Sequence, residues 1–260
     1  MRIYLINLER RKDRRTAMET QARALGLELE RVAALDAGTA DRDAVNRWFA
    51  LGGPLGEIPA GDKACLLSHR ACWERFVASG DAHAVFLEDD VRLSKAAGTL
   101  LMSDDWIPAG VEVVKLEHYG PPGQRVLLAD MHAIDGRFAL GRILSRHTGG
   151  AAYILSRKAA ELLLAEPRFD LPVDHLLFNP NNSRLFARLA PWQLLPAIAR
   201  QQEFVGEKSD IEKTRTGLRS FGPTYVRREL VRFGYDLKLI PRQVAALLAG
   251  AKFVAMTTAD

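Results

Sequence analysis

The segment Ala82-His-Ala-Val-Phe-Leu87 runs directly into three carboxylates, Glu88, Asp89 and Asp90. A short apolar run of this kind reads as a strand buried on both faces, and such strands belong to sheets covered by helices on either side. The neighbouring pattern agrees. Arg2 to Leu8 is a short β-type run, Arg10 to Leu25 a helix stopped by Gly26, and Leu27 to Ala34 a second strand. Asp41 to Ala60 reads as a helix followed by a Gly/Pro-rich loop. Asp62 to Ser79 is the clearest helix, with Cys65, Ser68, His69, Cys72, Trp73 and Phe76 along one face. Val111 to Leu116 is a further strand ending in Glu117-His118, and His147 to Leu155 another with glycines at its start; Arg157 to Ala165 is a helix. Pro121 to Arg142 shows little periodicity and suits a mobile loop over a site. The alternation predicts an α/β fold with a mostly parallel sheet flanked by helices, and such sheets place ligands at the carboxyl ends of their strands.

With 260 residues, 48% of them hydrophobic, the chain can bury a substantial core. No apolar stretch has the length of a membrane span, and the N-terminus turns charged after six apolar-rich positions, so a cytoplasmic location is expected. Cys65 and Cys72 lie two helical turns apart, beyond disulfide reach, and read as small core residues. The net charge of +4 is unevenly spread. Between Lys213 and Lys252, nine basic residues face only Glu229 and Asp236. This divides the chain into a domain at 1–211 and a basic amphipathic, helical tail at 212–260, suited to an anionic membrane surface. Nucleic acid is not expected, because no nucleic-acid fold motif accompanies the charge.

Carboxylates at the end of a buried strand are costly unless solvated, paired or metal-bound. On an extended backbone Glu88 and Asp90 point one way and Asp89 the other, so the first and third can share a ligand. Hard oxygen donors suit Mg²⁺ or Mn²⁺. The plainer alternative is a solvated acidic loop capping the next helix. Asn7, Arg10, Arg11, Lys12, Arg14 and Arg15 crowd the end of the first strand, where an anion can bind; for Arg10, Lys12 and Arg15 an ordinary basic helix face is the preferred reading. Ser68 and His69 share an apolar helical face, where a histidine is more often a core residue than a catalyst. Asp174 offers either a base or a cap for the segment after it. Gly-x-Ser-x-Gly and Gly-x-Gly-x-x-Gly are both missing, which speaks against a serine hydrolase and a dinucleotide fold.

The segments Tyr4 to Arg14, Ala33 to Asp36, Cys65-Leu-Leu-Ser68-His69 with Trp73-Glu74, Ala84 to Asp90, Gly150 to Ser156, Pro172-Val-Asp174 and Ser209-Asp210-Ile211, in this order, resemble glycosyltransferase family 25. That family includes bacterial lipopolysaccharide and lipooligosaccharide galactosyl- and glucosyltransferases and the collagen galactosyltransferases. The resemblance implies a GT-A-like (Rossmann-type) fold, a UDP-sugar donor, a divalent cation (Mn²⁺ or Mg²⁺) and inversion at the anomeric carbon. It places the metal at Glu88, Asp89 and Asp90, and puts Asn7, Arg11 and Arg14 toward the nucleotide with Asp36 near the uridine. It also has Ser68 and His69 line the donor pocket or support its wall, and makes Asp174 the general base. The implied reaction moves a hexose, galactose first, to a glycan or lipid-linked acceptor, with the enzyme peripheral to the cytoplasmic face of the membrane. One departure is Ala64, where the family often has Gly before the cysteine. Two readings compete with catalysis of this kind: a non-catalytic binder of sugar nucleotides or partner proteins on the same scaffold, and a metal-dependent phosphoesterase, which would need further clustered His and Asp ligands that the sequence lacks.

Overall fold

The computed structural model describes residues 1–121, 123–201 and 223–260, with backbone alone for 223–233 and 236. From the N-terminus come β1 (Arg2–Asn7), α1 (Lys12–Ala24), β2 (Glu30–Ala33), α2 (Arg42–Asn46), α3 (Ala60–Ser79), β3 (His83–Glu88), β4 (Val91–Leu93) and α4 (Ala97–Leu100). The middle of the chain holds β5 (Val113–Lys115), β6 (Glu117–His118), β7 (Arg125–Ala133), β8 (Ala139–Ile143) and β9 (Ala152–Ser156). Next are α5 (Arg157–Leu164), α6 (Val173–Phe178), α7 (Phe186–Leu189), β10 (Trp192–Leu195) and β11 (Ala199–Gln201). The last described elements are α8 (Pro223–Leu248) and β12 (Lys252–Ala255).

Nine strands form one sheet in the order β12-β7-β8-β10-β5-β9-β3-β1-β2; β4, β11 and β6 form a small second sheet. Side chains alternate across the strands, so β1 and β3 feed two cores. Tyr4, Ile6, Ala84 and Phe86 face Leu66, Trp73 and Phe76 of α3. Ile3, Leu5, Val85 and Leu87 face Met18 and Ala22 of α1 and Ala97 and Leu100 of α4. Helices therefore cover both faces, and the expected α/β class holds. Gly80 ends α3 at φ +83°, a left-handed turn that a Cβ would strain.

The pairing is parallel at β1–β2, β1–β3 and β5–β10. It is antiparallel at β9 with both β3 and β5, and through β10-β8-β7-β12. The sheet is thus more mixed than the alternating pattern suggests. The chain enters β9 through Gly149-Gly150 at the carboxyl edge of β3 and β5, so it must run back between them. Pro121 to Arg142 is not a mobile loop: it holds the hairpin β7–β8, with Val126 and Leu127 fully buried. A register shift between Ala129 and His132, with Asp130 at φ +50°, breaks the two-residue period that would have revealed it. Within Asp41 to Ala60, the helix expected ahead of the Gly/Pro-rich loop is short, Arg42–Asn46, and is capped by the Asp41 carboxylate. Asp174 lies within the first turn of α6 rather than in a loop.

The 211/212 boundary and Ser209-Asp210-Ile211 lie outside the described residues. Within the basic segment, α8 is helical as expected, but β12 pairs with β7 as the edge strand of the main sheet, and Ala259 N–H donates to the Ala197 carbonyl. Met256 is buried and belongs to one of the two hydrophobic cores. The last ten residues are therefore part of the folded body. Met256→Ala is expected to lower folding stability by about 2–4 kcal/mol in urea or guanidinium titration, the cost of a cavity in a closed core; an unchanged midpoint would show the terminal strand to be dispensable.

Candidate active site

Because β1, β2 and β3 are parallel, their carboxyl ends meet at one edge of the sheet. There a cavity of about 290 Å³ opens between the β1–α1 turn, the segment Ala34 to Gly38, one face of α3 and the acidic triplet. Arg14, Asp36, Ser68, Glu88, Asp89 and Asp90 line it. Asp89 and Asp90 form a tight turn between β3 and β4, not an extended strand. The alternation expected of an extended backbone therefore does not apply, and all three carboxylates border the same space.

Each carboxylate has a different neighbourhood. Asp89 accepts hydrogen bonds from Asn7 Nδ2 at 2.7 Å and from Arg14 Nη1 at 3.1 Å. Asp90 shares Arg14 at 3.5 Å, and its Oδ1 is buried with no hydrogen-bond partner. Glu88 Oε1 lies 3.2 Å from His69 Nε2 and 3.8 Å from Cys65 Sγ. Burial pushes the Glu88 carboxyl up to about 8, with Glu117, Asp89 and Asp174 adding repulsion. Asp90 is likewise raised to about 8 by burial and by Glu88, against the pull of Arg14. One arginine does not neutralise three acids.

The orphaned Asp90 oxygen and the two hard carboxylate donors fit a divalent cation such as Mn²⁺ or Mg²⁺, with Asp89 occupied by Asn7 and Arg14 in a supporting role. A second group, Cys65, His69 and Glu88, has ligand atoms within 4.8 Å of one another. Its chemistry is less suitable: burial and Glu88 hold the Cys65 thiol well above its ordinary value, and the thiol is not the metal-binding form.

The remaining expected residues divide. Asn7 is buried and also donates to the Arg11 carbonyl, so it braces the β1–α1 turn instead of facing the cavity. The Arg11 guanidinium turns to Asp13 at 2.8 Å, away from the cavity wall. Ser68 donates to the Ala64 carbonyl and accepts from Leu35 N–H at 2.9 Å, pinning the segment after β2 to α3. Asp36 accepts from Gly38 N–H and from Arg10 Nε at 2.7 Å; the Gly38 amide first and Arg10 second hold its carboxyl below the usual range. His69 is fully buried, and burial lowers it to about 3. Asp174 stands outside this cavity, close enough to act electrostatically on Glu88, His69 and Lys115.

Arg10 differs from the expected helix face: it lies in the turn before α1, exposed at the rim of the cavity, and pairs with Asp36. The buried pair Lys115 and Glu117, 3.0 Å apart and fully shielded from solvent, was also not foreseen. Its signal was the i, i+2 spacing on an extended backbone, which puts both side chains on one face. Glu117 Oε1 accepts the Ala151 amide at 2.8 Å, and the Ala151 carbonyl accepts Glu88 N–H at 2.8 Å. Lys115 Nζ also donates to the Gly149 carbonyl. The Gly149-Gly150 turn permits this: at φ +97°, a Cβ on Gly149 would sit 2.4 Å from Tyr119.

The family model described as Glycosyltransferase family 25 (LPS biosynthesis protein) matches residues 1–177. The lacto-N-neotetraose biosynthesis glycosyltransferase LgtB of Neisseria gonorrhoeae is 33% identical over 153 residues, 54% of this chain and 53% of that protein. A glycosyltransferase 25 family member of Anopheles gambiae is 30% identical over 241 residues, 84% of this chain and 39% of that protein. The chain thus spans about half the length, or less, of these curated relatives. Among solved structures, a glycosyltransferase involved in glycosylation of the major capsid of PBCV-1 aligns with a TM-score of 0.39 at 10% identity, covering 83% of this chain and 98% of that one.

The raised carboxyls set a sign for stability. Between the ordinary carboxylate range and about pH 8, the unfolded chain ionises Asp90 and the folded, metal-free chain does not, so stability falls as pH rises through this window and is level above it. Asp90→Asn is therefore expected to raise the stability of the metal-free protein at pH 8 by on the order of 1–3 kcal/mol and to change little at pH 4. Denaturant melts in EDTA at the two pH values measure this; equal effects at both would show that Asp90 is not strained by charge.

Proposed function

Because the chain belongs to glycosyltransferase family 25, we propose that it transfers a hexose, galactose first, from a UDP-sugar to a hydroxyl of a glycan acceptor, with inversion. The observation that carries this reading is the cavity at the carboxyl ends of three parallel strands, with Glu88, Asp89 and Asp90 on one wall and Arg10, Asp36 and Ser68 on the others. Glu88 and Asp90 would hold the cation, and Asn7 and Arg14 keep Asp89 from competing for the space. A bound Mn²⁺ or Mg²⁺ would supply positive charge against the phosphate oxygens of the donor. Arg10 and Arg14 add fixed charge at the same edge, and the Ala34 to Gly38 segment offers backbone and the Asp36 carboxylate to the nucleoside. Asp174, beyond the Gly149-Gly150 turn, would take the proton of the attacking hydroxyl in a single displacement. Relatives named for lacto-N-neotetraose and lipooligosaccharide biosynthesis, and a family model described as an LPS biosynthesis protein, support a glycan of that class as acceptor.

The test is UDP release from a panel of UDP-sugars with Mn²⁺, with and without glycan acceptors. Glu88→Ala and Asp90→Ala are expected to lose at least about a hundredfold in turnover, and Asp174→Asn to lose kcat with little change in donor KM. Wild-type transfer by either alanine variant would sink the cation assignment.

The partner surface is proposed to be an anionic membrane reached through α8. No helix among the described residues is long and apolar enough to cross a membrane. Leu237, Ile240, Val244 and Leu248 lie on one exposed side of α8, 47–86% accessible. Lys238 and Arg242, also exposed, occupy a different flank of the same helix. That division suits a helix lying in the headgroup region. Leu237→Glu/Val244→Glu is expected to abolish flotation with phosphatidylglycerol vesicles while leaving soluble-acceptor turnover intact; flotation equal to wild type would exclude this face.

A further inference from the structure

Behind the cavity wall, three fully buried side chains stand in line with Glu88. Trp73 Nε1 is 2.9 Å from Tyr153 Oη, Tyr153 Oη is 2.7 Å from His69 Nδ1, and His69 Nε2 is 3.2 Å from Glu88 Oε1. His69 and Trp73 are one turn apart on α3, Tyr153 comes from β9 and Glu88 from β3, so the line ties three elements together.

Its direction follows from the donor inventory. An indole N–H only donates, so Trp73 takes a lone pair of Tyr153 Oη and leaves the phenolic hydrogen to find an acceptor. Among the described residues, Tyr153 Oη bonds with Trp73 and His69. The phenol therefore donates to His69 Nδ1, and the imidazole proton resides on Nε2, where it donates to Glu88 Oε1. The opposite tautomer leaves the buried phenolic hydrogen unmatched. Stacking holds the rings in place: His69 on Tyr153 at 5.6 Å and 25°, and Tyr153 on Phe86 at 5.2 Å and 20°.

We infer that His69, oriented by Tyr153 and Trp73, is a positioning residue. It grips one oxygen of Glu88 and leaves the other for the cavity, fixing the carboxylate for a cation before the cation arrives. The inference rests on the reading of Glu88 as a cation ligand. It also separates the two possible metal groups, because coordination by Cys65, His69 and Glu88 together requires an unprotonated His69 Nε2.

Two measurements on the full chain decide it. Nitrogen-15 NMR of histidine-labelled protein, with the signal assigned by its loss in His69→Gln, is expected to show a protonated Nε2 and a bare Nδ1; a protonated Nδ1 overturns the proposal. Mn²⁺ titration followed by electron paramagnetic resonance should then rank the variants. His69→Gln, whose amide can both accept from Tyr153 and donate to Glu88, is expected within about threefold of wild type, and His69→Leu weaker by about 10–100-fold. Tyr153→Phe keeps the shape and removes the hydroxyl, and is expected to weaken binding by about threefold to tenfold. Circular dichroism melts check folding; should His69→Leu fail to fold, Tyr153→Phe carries the comparison. Wild-type affinity in the folded variants overturns the positioning role alone. A wild-type chain that takes no Mn²⁺ overturns the cation site itself and the positioning role with it.

Discussion

Three successive carboxylates end a strand whose preceding residues, Ala84 to Leu87, have no solvent access, and the surroundings are arranged around that charge. The β1–α1 turn brings Asn7 and Arg14 onto Asp89, α3 brings His69 onto Glu88, and Asp90 receives only a share of Arg14. The compensation is incomplete by design of the contacts: two carboxyls raised to about 8 and one buried oxygen without a partner leave a place for positive charge. A carboxyl that burial holds protonated gives up its proton where positive charge is brought beside it.

The sheet supplies the geometry for this. Parallel pairing of β1, β2 and β3 gathers their carboxyl ends into one edge, and the antiparallel β9 then delivers a glycine turn and Tyr153 to the same edge from the other side. Lys115 and Glu117 tie that turn to Glu88 through the Ala151 peptide. Glu88 is thus held by its backbone from β9 and by its carboxylate from α3. Mutational effects in this region should be strongly coupled, since the same few groups serve packing and charge.

How legible the site was depended on how local its cause is. The burial of β3, the acids after it, and the helix carrying Cys65, Ser68 and His69 were readable because period and polarity are properties of short segments. Arg10 and Arg11 were not separable by any such rule. They are adjacent in sequence, yet one reaches Asp36 across the cavity and the other folds back to Asp13, because a single turn decides which way each points. The β7–β8 hairpin was hidden by its bulge, and β12 by lying after a long basic helix with nothing local to announce its partner β7.

The sequence by itself determined the α/β class, the position of the acidic turn at the end of a buried strand, the family and the basic character of the C-terminal segment. Each follows from composition and spacing along the chain. Only the tertiary structure decided which acids are compensated, that Asp89 is taken up by Asn7 and Arg14, that His69 meets Glu88, and that β12 joins the sheet at its edge. Those are contacts between groups tens of residues apart, and a carboxylate's role depends on the dielectric and the partners that folding places around it.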